Sequence, residues 1–359
     1  MRGSRVLLLF TLSALVLFWM ACDGHGAGFS TIGRGNTATY LLFTDNTRIN
    51  VQSINTDGTL TSILGSPYTA GTQPSSILVA PNGKFIYVLN SGSNSITQFS
   101  IATDGTLTKV GNDVQTGTLP VAIAMDSQQR YLAVANKASG NVSFYRVDST
   151  SGTLTEFGFS PITTGNTPIA VTIQNNNVYA VGGTSIAEIA VDATNFTTAV
   201  ASGSPFAAGS VGTLTGAVAG TQLYALDGTN NQVQNYTLDL TTGAPTLGTS
   251  IASGTQPVAA LAVLSDKFLY VANKGSNNVS AYSIDSSSGA LTAIAGSPFS
   301  AGTGPALLAF DPVNNFLIVG NPGSLNVSVY SVNATTGVLT LSTTPSLGTA
   351  GTGVAVAKP

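Results

Sequence analysis

Few side chains in this chain could carry acid–base, nucleophilic or metal chemistry, and their positions narrow the choice further. The one histidine, His25, and the one cysteine, Cys22, both fall near the start. Beyond residue 37 the glutamates are Glu156 and Glu188, and the arginines are Arg48, Arg130 and Arg146. No Ser-His-Asp or Cys-His arrangement can be built from this set, and no His/Cys zinc site. Hydrolysis would have to rest on an Asp and an Arg, which no local motif marks as a pair. The binding groups on offer are mostly neutral. Asn90, Asn136, Asn273 and Asn321 each end an apolar segment, with Asp227 at the equivalent place, and Ser91, Lys137 and Lys274 follow directly. With the Ser-Pro-aromatic steps Ser66-Pro67-Tyr68, Ser204-Pro205-Phe206 and Ser297-Pro298-Phe299, these amides and hydroxyls could hold a sugar or a peptide. A structural role is open to the same residues: Asn capping a turn, and Pro-aromatic pairs locking neighbouring units together.

The elements that would position these residues come from a repeat. Its clearest copy is Thr255–Gly302. Val258–Leu264 is an apolar run, Ser265–Lys267 a polar turn, and Phe268–Asn273 a second apolar run. Lys274–Asn278 is a Gly/Ser/Asn turn, and Val279–Ile284 alternates toward a turn at Asp285–Gly289 before a short Leu-Thr segment. Four short strands in fewer than about fifty residues make one propeller blade. The residues that open successive units are Pro74, Pro120, Pro168, Thr213, Pro257, Pro305 and Thr352, at intervals of roughly 44 to 48 residues. Helical repeats can share that period, but the turns come too often here and β-branched residues are too dense.

Strand counting predicts an all-β, seven-bladed β-propeller of four-stranded blades over residues 37–359. The first unit starts at Ala38 with its second strand, and the last residues, Thr352–Pro359, match the opening strand of the seventh unit. The C-terminal strand is therefore expected to complete the N-terminal blade and remove an open edge. Second-strand runs such as FIYVLN (85–90) and FLYVAN (268–273) are apolar throughout, as strands covered on both faces should be. The third strands repeat an aromatic at Phe99, Tyr145, Tyr236, Tyr282 and Tyr330, expected to pack between blades. The turns after second strands and the crossings between blades share one face, termed the upper. The lower face gathers Asp57, Asp104, Asp148, Asp192, Asp239 and Asp285, one in each of six blades, which suits hairpin turns and not a calcium site.

Charged residues make up 8% of the chain, against roughly 25% in an ordinary soluble domain, and the formal charge is −3. Neither a nucleic-acid partner nor a strongly charged one is implied. Arg2 and Arg5 precede an apolar run, Val6–Ala21, that is shorter than the ~20 residues needed to span a bilayer. Residues 1–21 therefore read as a signal peptide. Cys22 follows at once, in the sequence WMAC, which resembles a lipobox and marks Cys22 as the lipidated residue. Residues 22–36 form a tether. These features predict an exported lipoprotein at the bacterial cell envelope, periplasmic or on the outer surface, touching the membrane by its lipid anchor only.

The repeat itself carries a resemblance. YVLN, YVAN, the GSN segment after them and the TGxLT turns resemble the YVTN-type repeats of the seven-bladed lactonase family, which is similar to the cycloisomerase type of 6-phosphogluconolactonase. The resemblance runs from about Thr37 to Pro359. It implies a propeller fold and a possible lactone-opening activity, which related proteins carry on His, Glu and Arg side chains. No such residue can be carried over by motif. The expected function is a ligand- or protein-binding module, monomeric, without metal or cofactor, for a protein, peptide or carbohydrate. The alternative is a lactonase acting on an exported or environmental lactone. Candidate binding residues are Asn90, Asn136, Lys137, Asp227, Asn273, Lys274 and Asn321 on the upper face.

Overall fold

The computed structural model describes residues 38–208, 213–217 and 221–359. The signal run, Cys22 and the tether lie outside the described residues. The described chain forms seven antiparallel sheets, each running from an inner strand outward. The inner strands are Pro74–Val79, Pro120–Met125, Ala170–Gln174, Thr213–Ala217, Pro257–Val263, Leu307–Asp311 and Val354–Ala357. Each contacts the next, and the last returns to the first, so the ring is closed. The closing strand pairs antiparallel with Thr39–Thr44 of blade 1, in the register Tyr40↔Ala357 to Phe43↔Val354. A seven-bladed propeller with a C-terminal clasp is thus what the chain forms.

The apolar interior is divided. Seven separate clusters of buried side chains occur, one at each seam between neighbouring blades. The second strands are buried on both faces because each lies inside its sheet and between two neighbours. The aromatic stripe supplies these seams, and three of its hydroxyls find carbonyls across them. Tyr145 donates to Gln115 O at 2.7 Å and Tyr282 to Ala252 O at 2.6 Å, while Tyr330 donates to Ser300 O. A second set of tyrosines stitches four of the seams in the other direction. Tyr87, Tyr179, Tyr224 and Tyr270 donate to the carbonyls of Gly152, Gly243, Gly289 and Gly337 in the turn of the following blade.

The lower-face aspartates behave as turn residues. Asp104 accepts from the Thr106 hydroxyl at 2.7 Å and its N–H at 2.9 Å, and Asp148 from the N–H groups of Thr150 and Ser151 at 2.9 and 3.0 Å. These bonds hold both carboxyls below the usual range. In blade 7 the neutral Asn333 does the same for Thr335 and Thr336, so the turn needs an oxygen acceptor and no charge.

The Ser-Pro-aromatic steps differ from expectation. They do not form part of the upper rim but break the outer strand of their blade. Ser66-Pro67, Ser160-Pro161, Ser204-Pro205 and Ser297-Pro298 are cis. In each the serine hydroxyl accepts the third-strand N–H left unpaired by the break: Val51, Phe144, Glu188 and Ala281, at 2.8 to 3.0 Å. The next residue, aromatic in three blades and Ile162 in blade 3, then resumes the pairing, as Tyr68 does opposite Ile49, and packs into the seam.

Candidate ligand-binding site at the upper rim

The turn after each second strand is built around its terminal residue. Asn136, Asn273 and Asn321 are buried, and each Nδ2 donates to an Asn Oδ1 five residues on and a Ser Oγ seven residues on, at 2.8 to 3.0 Å. Asn90 donates to Thr97 Oγ1 at 2.9 Å and accepts from the Gly71 N–H at 3.1 Å. Asp227 is likewise buried. Its oxygens accept from the Thr229 and Asn230 N–H groups and from the amides of Asn230, Gln232 and Gln234. Burial pulls its pKa up, but these five donors prevail and hold the carboxylate below its usual range. All five sequence-predicted strand-end residues therefore hold the rim together from beneath. Of the sequence-predicted residues only Lys137 and Lys274, in the turns of blades 3 and 6, are exposed on the rim.

Close approach of the crossing to this turn explains a run of glycines. A Cβ on Gly302 would stand 2.6 Å from Ser324 Oγ and 2.7 Å from the Asn321 amide, and Gly117 and Gly254 meet the same obstacle in blades 3 and 6. Gly302→Ala should therefore cost ~1–3 kcal/mol in chemical denaturation. Gly158→Ala, where a Cβ meets nothing within 4 Å, should stay within ~0.5 kcal/mol. Equal effects would show that the crossing can shift freely.

An open cavity of about 370 Å³ lies on the upper face where blades 1 and 2 meet the clasp. Asn46, Gln73, Pro74, Ser75, Ser91 and Thr352 line it. Each is placed by backbone bonds. Gln73, in the left-handed region at φ 52°, donates its N–H to Asn46 O at 3.0 Å, and Gln73 O accepts from both the N–H and the hydroxyl of Ser91 at 2.9 Å. Thr352 Oγ1 bonds Pro74 O at 2.6 Å, and its N–H reaches Thr44 O at 3.0 Å. Beside the cavity the Asp45 carboxylate is occupied by the N–H groups of Thr47 and Arg48 and by the Asn50 amide. The lining is uncharged. The inner strands that face the channel carry one charged residue between them, Asp311, which is buried and accepts from Thr39 Oγ1 at 2.7 Å.

A carboxylate–guanidinium pair does exist, on the lower face. Arg130 Nε meets Asp126 Oδ2 at 2.7 Å, while the buried Asp126 also accepts the N–H groups of Arg130 and Tyr131. That pair fastens the first turn of blade 3. Among the described residues no group of three or more His, Cys, Asp or Glu side chains could hold a metal ion.

The family described as lactonase, 7-bladed beta-propeller, matches residues 35–173 and 210–356. The chain belongs to that family. A 6-phosphogluconolactonase of Serratia proteamaculans is 30% identical over 97 residues, 27% of this chain and 29% of that protein. The chain covers less than half the length of the first curated relatives it matches. Among solved structures, a protein from Lactobacillus plantarum superposes with a TM-score of 0.75 at 20% identity, covering 89% of this chain and 99% of that one. The periplasmic gluconolactonase PpgL of Pseudomonas aeruginosa superposes with a TM-score of 0.75 at 18% identity, covering 90% and 100%. At such identities these likenesses carry the fold alone. Of the cavity lining, sequence reasoning had singled out only Ser91. The signal that marks the rest is the Pro74 that opens a unit and its counterpart Thr352, but no sequence pattern shows which of seven seams stands open.

Proposed function

We propose that this lactonase-family propeller is an exported, lipid-anchored binding module whose upper rim takes a neutral ligand rich in hydroxyls or amides, such as a carbohydrate or a peptide. The observation that carries this reading is the uncharged lining of the cavity at the clasp seam, set on a ring whose channel-facing strands are almost free of charge. Amides and hydroxyls fixed by backbone bonds can exchange hydrogen bonds with sugar hydroxyls or a peptide backbone without a desolvated charge to offset.

Lactone hydrolysis is the alternative, and the names of the relatives favour it. Under that reading the substrate is an uncharged lactone, since a phosphate would call for clustered cations that this cavity lacks. Both readings are tested on the purified protein. Glycan and peptide arrays should show binding that falls at least about tenfold in Gln73→Ala, while neutral and phosphorylated lactones should be left intact. Lactone turnover lost on Asp45→Asn or Arg48→Ala would replace the binding reading with the enzymatic one. Loss of lipid labelling in Cys22→Ala checks the anchor independently.

A further inference from the structure

A second cavity lies at the seam between blades 5 and 6, where blade 5 departs by one side chain from the layout of blade 2. In blade 2 the third-strand residue opposite Tyr87 is Gln98. Its carboxamide bridges the seam: Nε2 donates to Asn112 O at 3.0 Å, and Oε1 accepts the Leu154 N–H of the next blade at 2.8 Å. Leu154 lies two residues past Gly152, the glycine whose carbonyl Tyr87 holds.

Blade 5 repeats this layout with one methylene fewer. Asn235 stands opposite Tyr224, Tyr224 holds the carbonyl of Gly289, and Leu291 lies two residues beyond. Asn235 is 5% exposed, and its Nδ2 donates to Gly289 O at 3.2 Å, which fixes the amide's orientation. Its Oδ1 is buried without a partner. The shorter side chain leaves a gap where the Gln98 carboxamide sits in blade 2. The gap belongs to a cavity of about 270 Å³ lined by Asn235, Thr249, Ser250, Ile251 and Leu291. Opposite Asn235 the outer strand bulges, with Gly248 and Thr249 facing this one residue. Thr249 and Ser250 are exposed, so the cavity is reached from solvent along the outer edge of blade 5.

We propose that this seam is a binding site for a small neutral molecule bearing a primary carboxamide. The ligand's N–H₂ would donate to Asn235 Oδ1, and its carbonyl would accept from the Leu291 N–H, the place Leu154 holds in blade 2. A short aliphatic tail would lie against Ile251 and Leu291, with Thr249 and Ser250 at the mouth. A carboxylate is disfavoured because it cannot donate to Oδ1 and the lining holds no cation to offset its burial. The volume suits a molecule of about six heavy atoms with some water left beside it, since one water occupies roughly 30 Å³.

The test is binding of butyramide to the full protein, followed by ligand-observed NMR, with butyrate as control. Butyramide should bind with a Kd in the millimolar range, as expected of so small a ligand, and butyrate at least about tenfold more weakly. Asn235→Gln, which places the protein's own carboxamide in the gap, should weaken butyramide at least about tenfold while leaving the melting temperature unchanged or higher. Asn235→Gln that melts normally yet binds butyramide as well as wild type would overturn the proposal. So would equal binding of butyrate, or no butyramide signal at 100-fold excess over the expected constant.

Discussion

Glu188→Gln is expected to stabilise the protein by on the order of 3 kcal/mol at pH 8.5 and to change nothing below pH 4.5. Glu188 occupies in blade 4 the position that Gln98 holds in blade 2, opposite Tyr179 of the second strand. It is fully buried, and neither carboxyl oxygen has a partner. The reason lies across the seam. Tyr179 holds the carbonyl of Gly243, and two residues beyond Gly243 stands Pro245, which has no N–H to offer where blade 3 presents that of Leu154. The charged group acting on the site is the Asp239 carboxylate, and the amide of Asn177 is the neutral neighbour. Burial first, and the nearby Asp239 second, push the Glu188 carboxyl up from 4.5 to about 7. A folded-state pKa above the unfolded one means the neutral acid's contribution is complete below pH 4.5 and is lost as pH rises through 7. Glutamine cannot ionise, so its advantage should grow over that window and level off above it. Denaturant titrations of both proteins from pH 4 to 8.5 read this directly. A difference that stays constant with pH would mean that Glu188 does not titrate in a buried seam.

Removal of Gly351–Pro359 should abolish cooperative folding at 37 °C. The clasp strand faces two seams at once: Val354 and Val356 pack into the core shared by blades 7 and 1, and Ala355 and Ala357 into the core shared by blades 1 and 2. Full burial of a valine side chain is worth ~1.5–3 kcal/mol; Val354 and Val356 are half-buried, so with the buried Ala357 and the ladder to Tyr40–Phe43 the strand supplies a sizeable share of a typical domain stability of ~5–15 kcal/mol. Truncation also bares the edge of Thr39–Thr44, a buried apolar strand, to other chains. The truncated protein should aggregate on heating, and a synthetic peptide of residues 351–359 added in excess should restore a single melting transition. An unchanged melting temperature after truncation would mean that the ring does not depend on its clasp.

The ring was legible because each blade states the same pattern, so an error in one copy is outvoted by six others. The buried second strands, the aromatic seams and the Asp turns followed from local chemistry. The Ser-Pro-aromatic steps were misplaced because their meaning depends on a third-strand N–H some sixteen residues back, which no local pattern reveals. Asn90, Asn136, Asn273 and Asn321 present the same difficulty in reverse. Their polarity marks them as candidates for a ligand, while their partners are the Ser, Thr and Asn a few residues on and the glycines of a crossing about twenty residues away. Glu188 was visible as one of two glutamates in the propeller, but its state depends on Pro245 in the next blade. Site chemistry in this fold is set between blades, and repetition says little about what differs from seam to seam.

The cavity at the upper rim shares Thr352 with the clasp, and that joins two properties that are separate elsewhere in the ring. Anything seated against Gln73, Ser91 and Thr352 grips the first full blade and the last stretch of chain together. Such a ligand can bind only when the circle is shut, so by mass action its occupancy weighs directly on closure. A ligand held there would also be a staple.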